Sequence, residues 1–254
     1  PQIVASLKKD WDLSDLKALS PLSYSYVLEG MRGQVPIVVK LSPDIALIEK
    51  EAQALEAFKG FGAVSLLGCE KGALLLEKAV PGECLKNRKP QESRIEIACG
   101  VIQRLHQAPL PKEPFPSIEA WMATLDSSWS LPQELLQRAR LLKMQLMKSA
   151  CAHKVLLHGD LHQDNILSHG NDWVVIDPKG VIGHPLHELW ACVEDSLQDL
   201  QFVACYFNYP LQEVLGWYYV HLILAACWQL EDGLDSNLFL TRAKDILPRI
   251  EFYF

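Results

Sequence analysis

Short runs in which apolar and polar residues alternate occupy the first third of the chain, and this period-two pattern predicts β-strands. The strands are expected at residues 24–29 and 36–41, with a glycine-flanked turn at residues 30–33 between them. From residue 44 to 59 the apolar positions recur every three or four residues, the spacing of an amphipathic helix. Two more apolar runs, at residues 64–69 and 72–77, complete a predicted strand-strand-helix-strand-strand unit over residues 22–80.

Beyond Pro81 and Gly82 the apolar spacing becomes helical. Long helices are predicted at residues 91–107, 132–152 and 211–230, with short strands around residues 154–176. The pattern therefore predicts an α+β fold of two lobes. A β-rich N-terminal lobe covers residues 1–80, and a mainly helical C-terminal lobe covers residues 81–254.

Composition and charge narrow the class of protein. Apolar residues make up 49% of the chain and charged residues 22%, as in soluble globular proteins. A net charge of −7, with no basic run, argues against nucleic acid as a partner and suits a cationic small molecule. No uninterrupted apolar stretch is long enough for a membrane span, and the first residues lack the layout of a signal peptide. Seven scattered cysteines without a C-x-x-C pair indicate small buried side chains in a reducing compartment, so we expect a cytoplasmic protein.

One segment carries most of the chemistry. Residues 158–165, His-Gly-Asp-Leu-His-Gln-Asp-Asn, form what we call the catalytic octet, and Asp177 follows twelve residues later at the end of an apolar strand. This order is typical of a phosphoryl-transfer loop and its metal-binding partner. Asp160 is the candidate base that accepts the proton of an attacking hydroxyl. The Asn165 amide oxygen and the Asp177 carboxylate are candidate Mg²⁺ ligands, and His158 is predicted to lock the loop by hydrogen bonding.

The N-terminal unit supplies the remaining candidates. Lys40 ends a β-branched strand, where a lysine can pair with nucleotide phosphates. Such a lysine needs an acidic partner, and the next helix offers Glu49 and Glu51, of which Glu51 is preferred. No Gly-x-Gly-x-x-Gly precedes Lys40, so Ser23 and Ser25 are the candidate phosphate-capping residues.

Two further histidines, His184 and His187, do not have the spacing of metal-binding residues. They are predicted to be packing or surface residues. A zinc site is not expected, because the other histidines lack a matched set of cysteines or carboxylates.

Residues 157–167 and 175–183 together resemble the aminoglycoside phosphotransferase family of small-molecule kinases. The sequence Asp-Pro-Lys-Gly at residues 177–180, in place of Asp-Phe-Gly, is similar to the streptomycin and hydroxyurea kinase branch. The resemblance implies a bilobal protein-kinase-like fold, ATP or GTP as phosphoryl donor, and Mg²⁺. It implies that Glu77 and Ala79, in the connector between the lobes, lie against the nucleotide base. It also implies substrate contacts from acidic residues of the C-terminal lobe, namely Glu188, Glu231 and Asp232. The chain departs from the family at residues 184 and 187–188, where His and His-Glu replace Asp and Tyr-Asp.

The leading hypothesis is an ATP-dependent O-phosphotransferase that acts on a hydroxyl of a streptomycin-like aminoglycoside. A kinase of another small alcohol, such as a sugar, a choline-like compound or an amino alcohol, stays open. A nucleotide-binding pseudokinase also stays open, because the glycine loop is missing. A protein kinase is disfavoured, because no Ala-Pro-Glu element follows Asp177.

Overall fold

The N-terminal part of the chain forms a five-stranded antiparallel sheet in a computed structural model that describes residues 2–19, 25–70, 72–89, 92–150, 153–194 and 197–251. The strand order is β1-β2-β3-β5-β4. The elements are α1 (Gln2–Asp10), β1 (Leu13–Ala18), β2 (Tyr26–Arg32), β3 (Val35–Leu41), α2 (Ile45–Ala57), β4 (Leu66–Glu70) and β5 (Ala73–Glu77).

Helix α2 packs on one face of this sheet. Its start is fixed by Asp44, whose side chain accepts a hydrogen bond from the backbone N–H of Leu47. Ile48 and Leu55, almost fully buried, pack in one apolar cluster with Leu74 of β5. Because side chains three and four positions apart share a helix face, this packing also turns position 51 toward the sheet.

The predicted order of four strands and one helix is confirmed, but strand β1 and helix α1 were not expected. In β1 only Leu13 is buried, and the pairing with β2 shifts register between Ser14 and Lys17. Asp15, inside this irregularity, has a φ of 53°. The interruption removes the regular alternation by which a strand is recognised from its sequence.

The rest of the chain is mainly helical and surrounds two small sheets, ordered β6-β8-β9 and β10-β7. Its strands are β6 (Pro81–Cys84), β7 (Val155–Leu157), β8 (Ile166–His169), β9 (Asp172–Val175) and β10 (Val181–Gly183). Its helices are α3 (Glu92–Leu105), α4 (Ile118–Met122), α5 (Gln133–Ala150), α6 (Leu197–Phe207), α7 (Leu211–Glu231) and α8 (Asn237–Ile246). The α+β class is confirmed, as are the three long predicted helices; α4, α6 and α8 were missed.

Helix α7 is the centre of the helical part. Thirteen of its residues are buried, and the largest of them, Trp217 and Tyr219, are completely enclosed. A helix that is apolar on all sides is stable only when other elements surround it, and α5, α6 and α8 do so here. In the described ranges, no helix is long and apolar enough to cross a membrane.

Of the six described cysteines, Cys99, Cys192 and Cys227 are buried as expected, whereas Cys69 and Cys205 are exposed.

Hydrogen bonds join the two parts of the molecule next to the strand that carries Asp177. The backbone N–H of Val64 donates to the carbonyl of Val175 in β9, and the N–H of Val175 donates to the carbonyl of Gly62. The segment after α2 is therefore tied to the end of β9. This connection fixes β3 and α2 relative to residues 175–177.

Candidate active site

Lys40, Glu51 and Asp177 meet in one buried cluster between the two parts of the molecule. The Nζ atom of Lys40 lies 2.8 Å from Oε2 of Glu51 and 3.0 Å from Oδ1 of Asp177. Burial alone would lower the pKa of Lys40, but the two carboxylates outweigh it and the pKa is raised. The lysine is therefore held as a cation. The predicted choice of Glu51 over the exposed Glu49 is confirmed as a contact.

The catalytic octet is locked from inside by His158, which is fully buried. Its Nε2 atom lies 2.8 Å from the carbonyl oxygen of Ile176, and its Nδ1 atom accepts a hydrogen bond from the backbone N–H of Asp160. Burial lowers the pKa of His158 to about 4, so the ring is neutral and donates only through Nε2. The predicted loop-locking role is confirmed, since one ring joins the octet to the strand that leads into Asp177.

Glu188 lies under the same loop and not on its solvent side. Oε2 accepts a hydrogen bond of 2.8 Å from the backbone N–H of His158, and Oε1 accepts one of 3.1 Å from that of Gly159. Its exposed fraction is 2%, and burial raises its pKa to about 7. The substrate contact expected for Glu188 is therefore wrong in this structure: the side chain is enclosed, and both oxygens are occupied in positioning the loop.

Asp160 reaches into an open cleft of about 600 Å³, which Lys40, Glu51, Asn165 and Asp177 also line. Its side chain is half-exposed, in keeping with a group that must meet a substrate. Partial burial raises the pKa of Asp160, while nearby Lys179, with Nζ 3.9 Å from Oδ2, acts to lower it. The cleft thus places the candidate base opposite the lysine-carboxylate cluster.

Asn165 and Asp177 are oriented by the local backbone. The Asn165 side-chain amide donates to the carbonyl oxygen of Asp160 at 2.9 Å, which leaves its own oxygen available to the cleft. Asp177 has a φ of 61°, a left-handed conformation that is strained for a residue with a side chain. This conformation ends the strand and brings one carboxylate oxygen to Lys40, so that the other is left for a ligand.

The remaining nucleotide-side candidates differ in their positions. Ser25 lines the cleft, whereas Ser23 lies outside the described residues. The Glu77 carboxylate accepts hydrogen bonds from Ser65, and the Glu77 backbone N–H donates to the Ser65 carbonyl oxygen. Ala79 is 6% exposed, in the connector before β6.

Glu231 and Asp232, the other acidic residues expected near a substrate, are exposed at the end of α7. One turn earlier in the helix, Trp228 makes an edge contact with Trp121, with ring centres 6.0 Å apart. Trp121 in turn packs over Gly159, where a Cβ atom would lie only 2.9 Å from the indole. A chain of contacts therefore leads from the end of α7 to the catalytic octet.

Both His184 and His187 are buried, and each belongs to an aromatic cluster around Trp217. Burial lowers the pKa of both rings, so they remain neutral. The prediction of packing residues is confirmed, and a surface position is excluded. His187 also contacts His221 of α7, which joins the segment before Glu188 to the central helix.

The structure gives two residues contacts that sequence reasoning did not predict. That reasoning gave Lys179 no role, although the residue belongs to the quoted Asp-Pro-Lys-Gly sequence. It placed Glu188 with the substrate, because nothing in a linear sequence shows that a glutamate accepts backbone hydrogen bonds from a loop thirty residues earlier.

Comparisons with known proteins identify the family of this chain. Residues 19–206 match the family model of the aminoglycoside/hydroxyurea antibiotic resistance kinases. The chain is 26% identical to a streptomycin 6-kinase of Streptomyces glaucescens, over 92% of this chain and 84% of that protein. It is also 26% identical to a streptomycin 3''-kinase of Klebsiella pneumoniae, over 82% of this chain and 85% of the relative.

Solved structures show the same fold. A thermostable mutant of an aminoglycoside phosphotransferase, in complex with AMP-PNP and hygromycin B, superposes with a TM-score of 0.76. The two chains are 15% identical, and the superposition covers 98% of each. The predicted bilobal kinase-like fold is confirmed, and so is the resemblance in sequence. The chain belongs to the aminoglycoside/hydroxyurea antibiotic resistance kinase family, and it is a phosphotransferase.

Proposed function

We propose that this protein transfers the γ-phosphate of ATP to a hydroxyl of a streptomycin-like aminoglycoside. The observation that carries the proposal is the meeting, in one cleft, of the Lys40-Glu51-Asp177 cluster and the Asp160 carboxylate. In this proposal the protein has two lobes, residues 1–80 and residues 81–254, and the nucleotide binds between them. The family and the streptomycin kinases to which the chain is similar support the choice of acceptor.

Each residue then has a defined task. Lys40 neutralises charge on the nucleotide phosphates, and Glu51 holds it in place. Asp160 accepts the proton of the substrate hydroxyl and orients the oxygen for attack on the γ-phosphorus. The backbone of Glu77 and Ala79 faces the base, and Ser25, with Ser23, caps the phosphates. GTP would occupy the same cleft, and a nucleotide comparison decides between the two donors.

The residues present fit a magnesium ion. Among the described residues, no group of three or more His, Cys, Asp or Glu side chains could hold a metal on their own. Magnesium bound to a nucleotide needs only one or two protein ligands, because phosphate oxygens and water complete the octahedron. The free oxygens of Asn165 and Asp177 would hold it. When bound, the ion supplies positive charge to the phosphates.

A cationic acceptor also matches the charge of the protein. The net charge is −7, and Glu231 and Asp232 stand exposed near the end of α7. We propose that these two carboxylates, but not Glu188, contact the amino or guanidino groups of the acceptor. Such contacts would raise substrate affinity while leaving the chemical step to the cleft residues.

The test is ADP release by purified protein with Mg²⁺ and ATP, or GTP, against a panel of acceptors. The panel holds streptomycin, other aminoglycosides, hydroxyurea, choline, sugars and amino alcohols. We expect streptomycin to stimulate turnover far above basal hydrolysis, and mass spectrometry to show one added phosphoryl group. Stimulation by a different alcohol alone would refute the acceptor and keep the chemistry. Nucleotide binding without turnover on any acceptor would indicate a pseudokinase.

A further inference from the structure

Among the residues that the structure describes, the cleft around Asp160 is lined by more negative than positive side chains. Its acidic lining residues are Glu51, Asp160, Asp164 and Asp177, and its lysines are Lys40 and Lys179. Lys40 is already engaged by two of these carboxylates. A nucleoside triphosphate would add further negative charge to the cleft. In the proposed reaction the largest redistribution of charge occurs on the phosphoryl group during its transfer, beside Asp160.

The catalytic octet carries no lysine or arginine to balance this charge. After Asp160 it reads Leu-His-Gln-Asp-Asn, and Nδ1 of His162 lies 3.5 Å from the Asp164 carboxylate. Among the lining residues of the cleft, a cation close to Asp160 comes instead from another segment. The Nζ atom of Lys179 is 3.9 Å from Oδ2 of Asp160, and its side chain is 41% exposed in the cleft.

The backbone around Lys179 is fixed to the octet. The N–H groups of Lys179 and Gly180 both donate to the carbonyl oxygen of His158, at 2.8 and 3.1 Å. Gly180 has a φ of 68° and lies against Phe115, so the turn has little freedom to move. A Cβ atom on Gly159 would lie 3.3 Å from the Cβ atom of Lys179, which shows how closely the two segments pass. The backbone and the Cβ atom of Lys179 are thus held in a fixed position relative to the octet.

The ammonium itself is not locked in place. At 3.9 Å it is beyond the usual 2.7–3.2 Å of a hydrogen bond, and it carries three donors. It can therefore turn from Asp160 toward an oxygen that enters the cleft next to it. An oxygen in that position is what the proposed reaction supplies.

We propose that Lys179 is a catalytic residue whose ammonium contacts the phosphoryl group in transfer and neutralises its charge beside Asp160. This inference rests on the proposed function. In the step concerned, the substrate oxygen bonds to the γ-phosphorus while its proton passes to Asp160. The bond from phosphorus to the bridging oxygen breaks, and its electron pair leaves with ADP. Lys179 forms no covalent bond, and it lowers the barrier by electrostatic stabilisation of the phosphoryl oxygens.

The experiment compares Lys179→Gln and Lys179→Met, which remove the charge, with Lys179→Arg, which keeps it. Lys154→Gln is the matched control. Its side chain is 38% exposed, paired with Glu119 at 2.7 Å, and not among the lining residues of the cleft. Each variant is measured for kcat, KM and melting temperature, and for the Kd of Mg²⁺-ATP.

We expect both neutral variants to lower kcat about 100-fold, with the Kd of ATP changed by less than about fivefold, because the contact forms mainly in the transition state. Lys179→Arg should retain at least about a tenth of the wild-type kcat, and the control should match the wild type. Neutral variants within about threefold of wild-type kcat overturn the proposal. A loss confined to ATP affinity, or an equal loss in the arginine variant, overturns it as well.

Basal hydrolysis of ATP separates this proposal from the identity of the acceptor, because water then takes the place of the alcohol. If no alcohol is phosphorylated but the neutral variants lose hydrolysis about 100-fold, the acceptor is wrong and the role of Lys179 stands. If streptomycin is phosphorylated equally by wild type and neutral variants, the role of Lys179 is wrong and the function stands.

Discussion

Replacement of Glu188 by Gln tests whether a buried carboxylate positions the catalytic loop. In the wild type its two oxygens accept backbone N–H groups at 2.8 and 3.1 Å. Glutamine keeps one acceptor oxygen but presents an NH₂ group to the other N–H. One backbone donor of the octet, from His158 or Gly159, is then left against another donor in the protein interior.

The effect on stability depends on the charge of the wild-type side chain. Burial raises the pKa of Glu188 from 4.5 to about 7, so ionisation costs the folded wild type about 3 kcal/mol at pH 8, with the hydrogen bonds from the octet already included in that shift. Protonated glutamate resembles glutamine, because each keeps one acceptor oxygen and presents a donor to the other backbone N–H. Glutamine stays neutral, so the variant should be about 3 kcal/mol more stable than wild type at pH 8.

The same shift predicts a pH dependence with a definite sign. Because the folded pKa is raised, the stability that Glu188 contributes is present below pH 4.5 and is lost as the pH rises through 7. Glutamine does not titrate. The variant should therefore match wild type within about 1 kcal/mol at pH 5 and be about 3 kcal/mol more stable at pH 8. Urea denaturation at the two pH values measures this difference.

Catalysis should suffer even though stability does not. Asp160 follows the displaced backbone groups directly, and a shift of about 1 Å in a reacting group can cost about 100-fold in rate. We expect kcat to fall by about that factor at pH 8 with little change in KM. Glu119→Gln, which alters a partly exposed carboxylate paired with Lys154, is the control. A Glu188→Gln enzyme with kcat within about threefold of wild type would refute the reasoning.

Three other predictions follow from the site. Asp160→Asn should lower kcat about 1,000-fold with ATP affinity unchanged, since only the proton acceptor is lost; near-normal turnover would remove Asp160 from its role. Gly180→Ala should destabilise the protein by about 3 kcal/mol in urea denaturation, because φ is 68° and an aromatic ring fills the space of the new Cβ; an unchanged midpoint would contradict this. Burial lowers the pKa of His158 to about 4 and of His221 to about 3, so the stability they contribute is present above pH 6.5 and is lost as the pH falls. Between pH 6.5 and 5 the two rings should lower the free energy of unfolding by about 4 kcal/mol, and protonation of Glu188 should restore about 2 kcal/mol of it. The melting temperature should therefore fall over this range, and an unchanged melting temperature would be inconsistent with buried neutral rings.

The spacing of apolar residues was sufficient to predict the strands and helices in which that spacing is regular. Strand β3 and helix α2 were predicted within a few residues of their observed ends, and the choice of Glu51 followed from the apolar face of that helix. Strand β1 could not be found in this way, because its bulge and its mostly exposed residues break the alternation.

Contacts between distant segments lay outside the reach of sequence patterns. The roles of Glu188 and Lys179 depend on backbone groups of the octet that are about twenty to thirty residues away. A glutamate and a lysine in a loop carry no periodic signal, and exposed charged residues are the ordinary expectation. Their positions became clear only when burial and hydrogen bonds were known.

The sequence by itself determined the reaction class, because the octet, Lys40 and Asp177 occur in the order and on the elements that phosphoryl transfer requires. The order and the types of these residues can be read directly from the sequence, and the reaction class depends on them. The tertiary structure decided which acidic residue supports the loop and which cation stands beside Asp160. Those assignments depend on distance and on exclusion of water, which arise only when the sheet and the helical part close around the cleft.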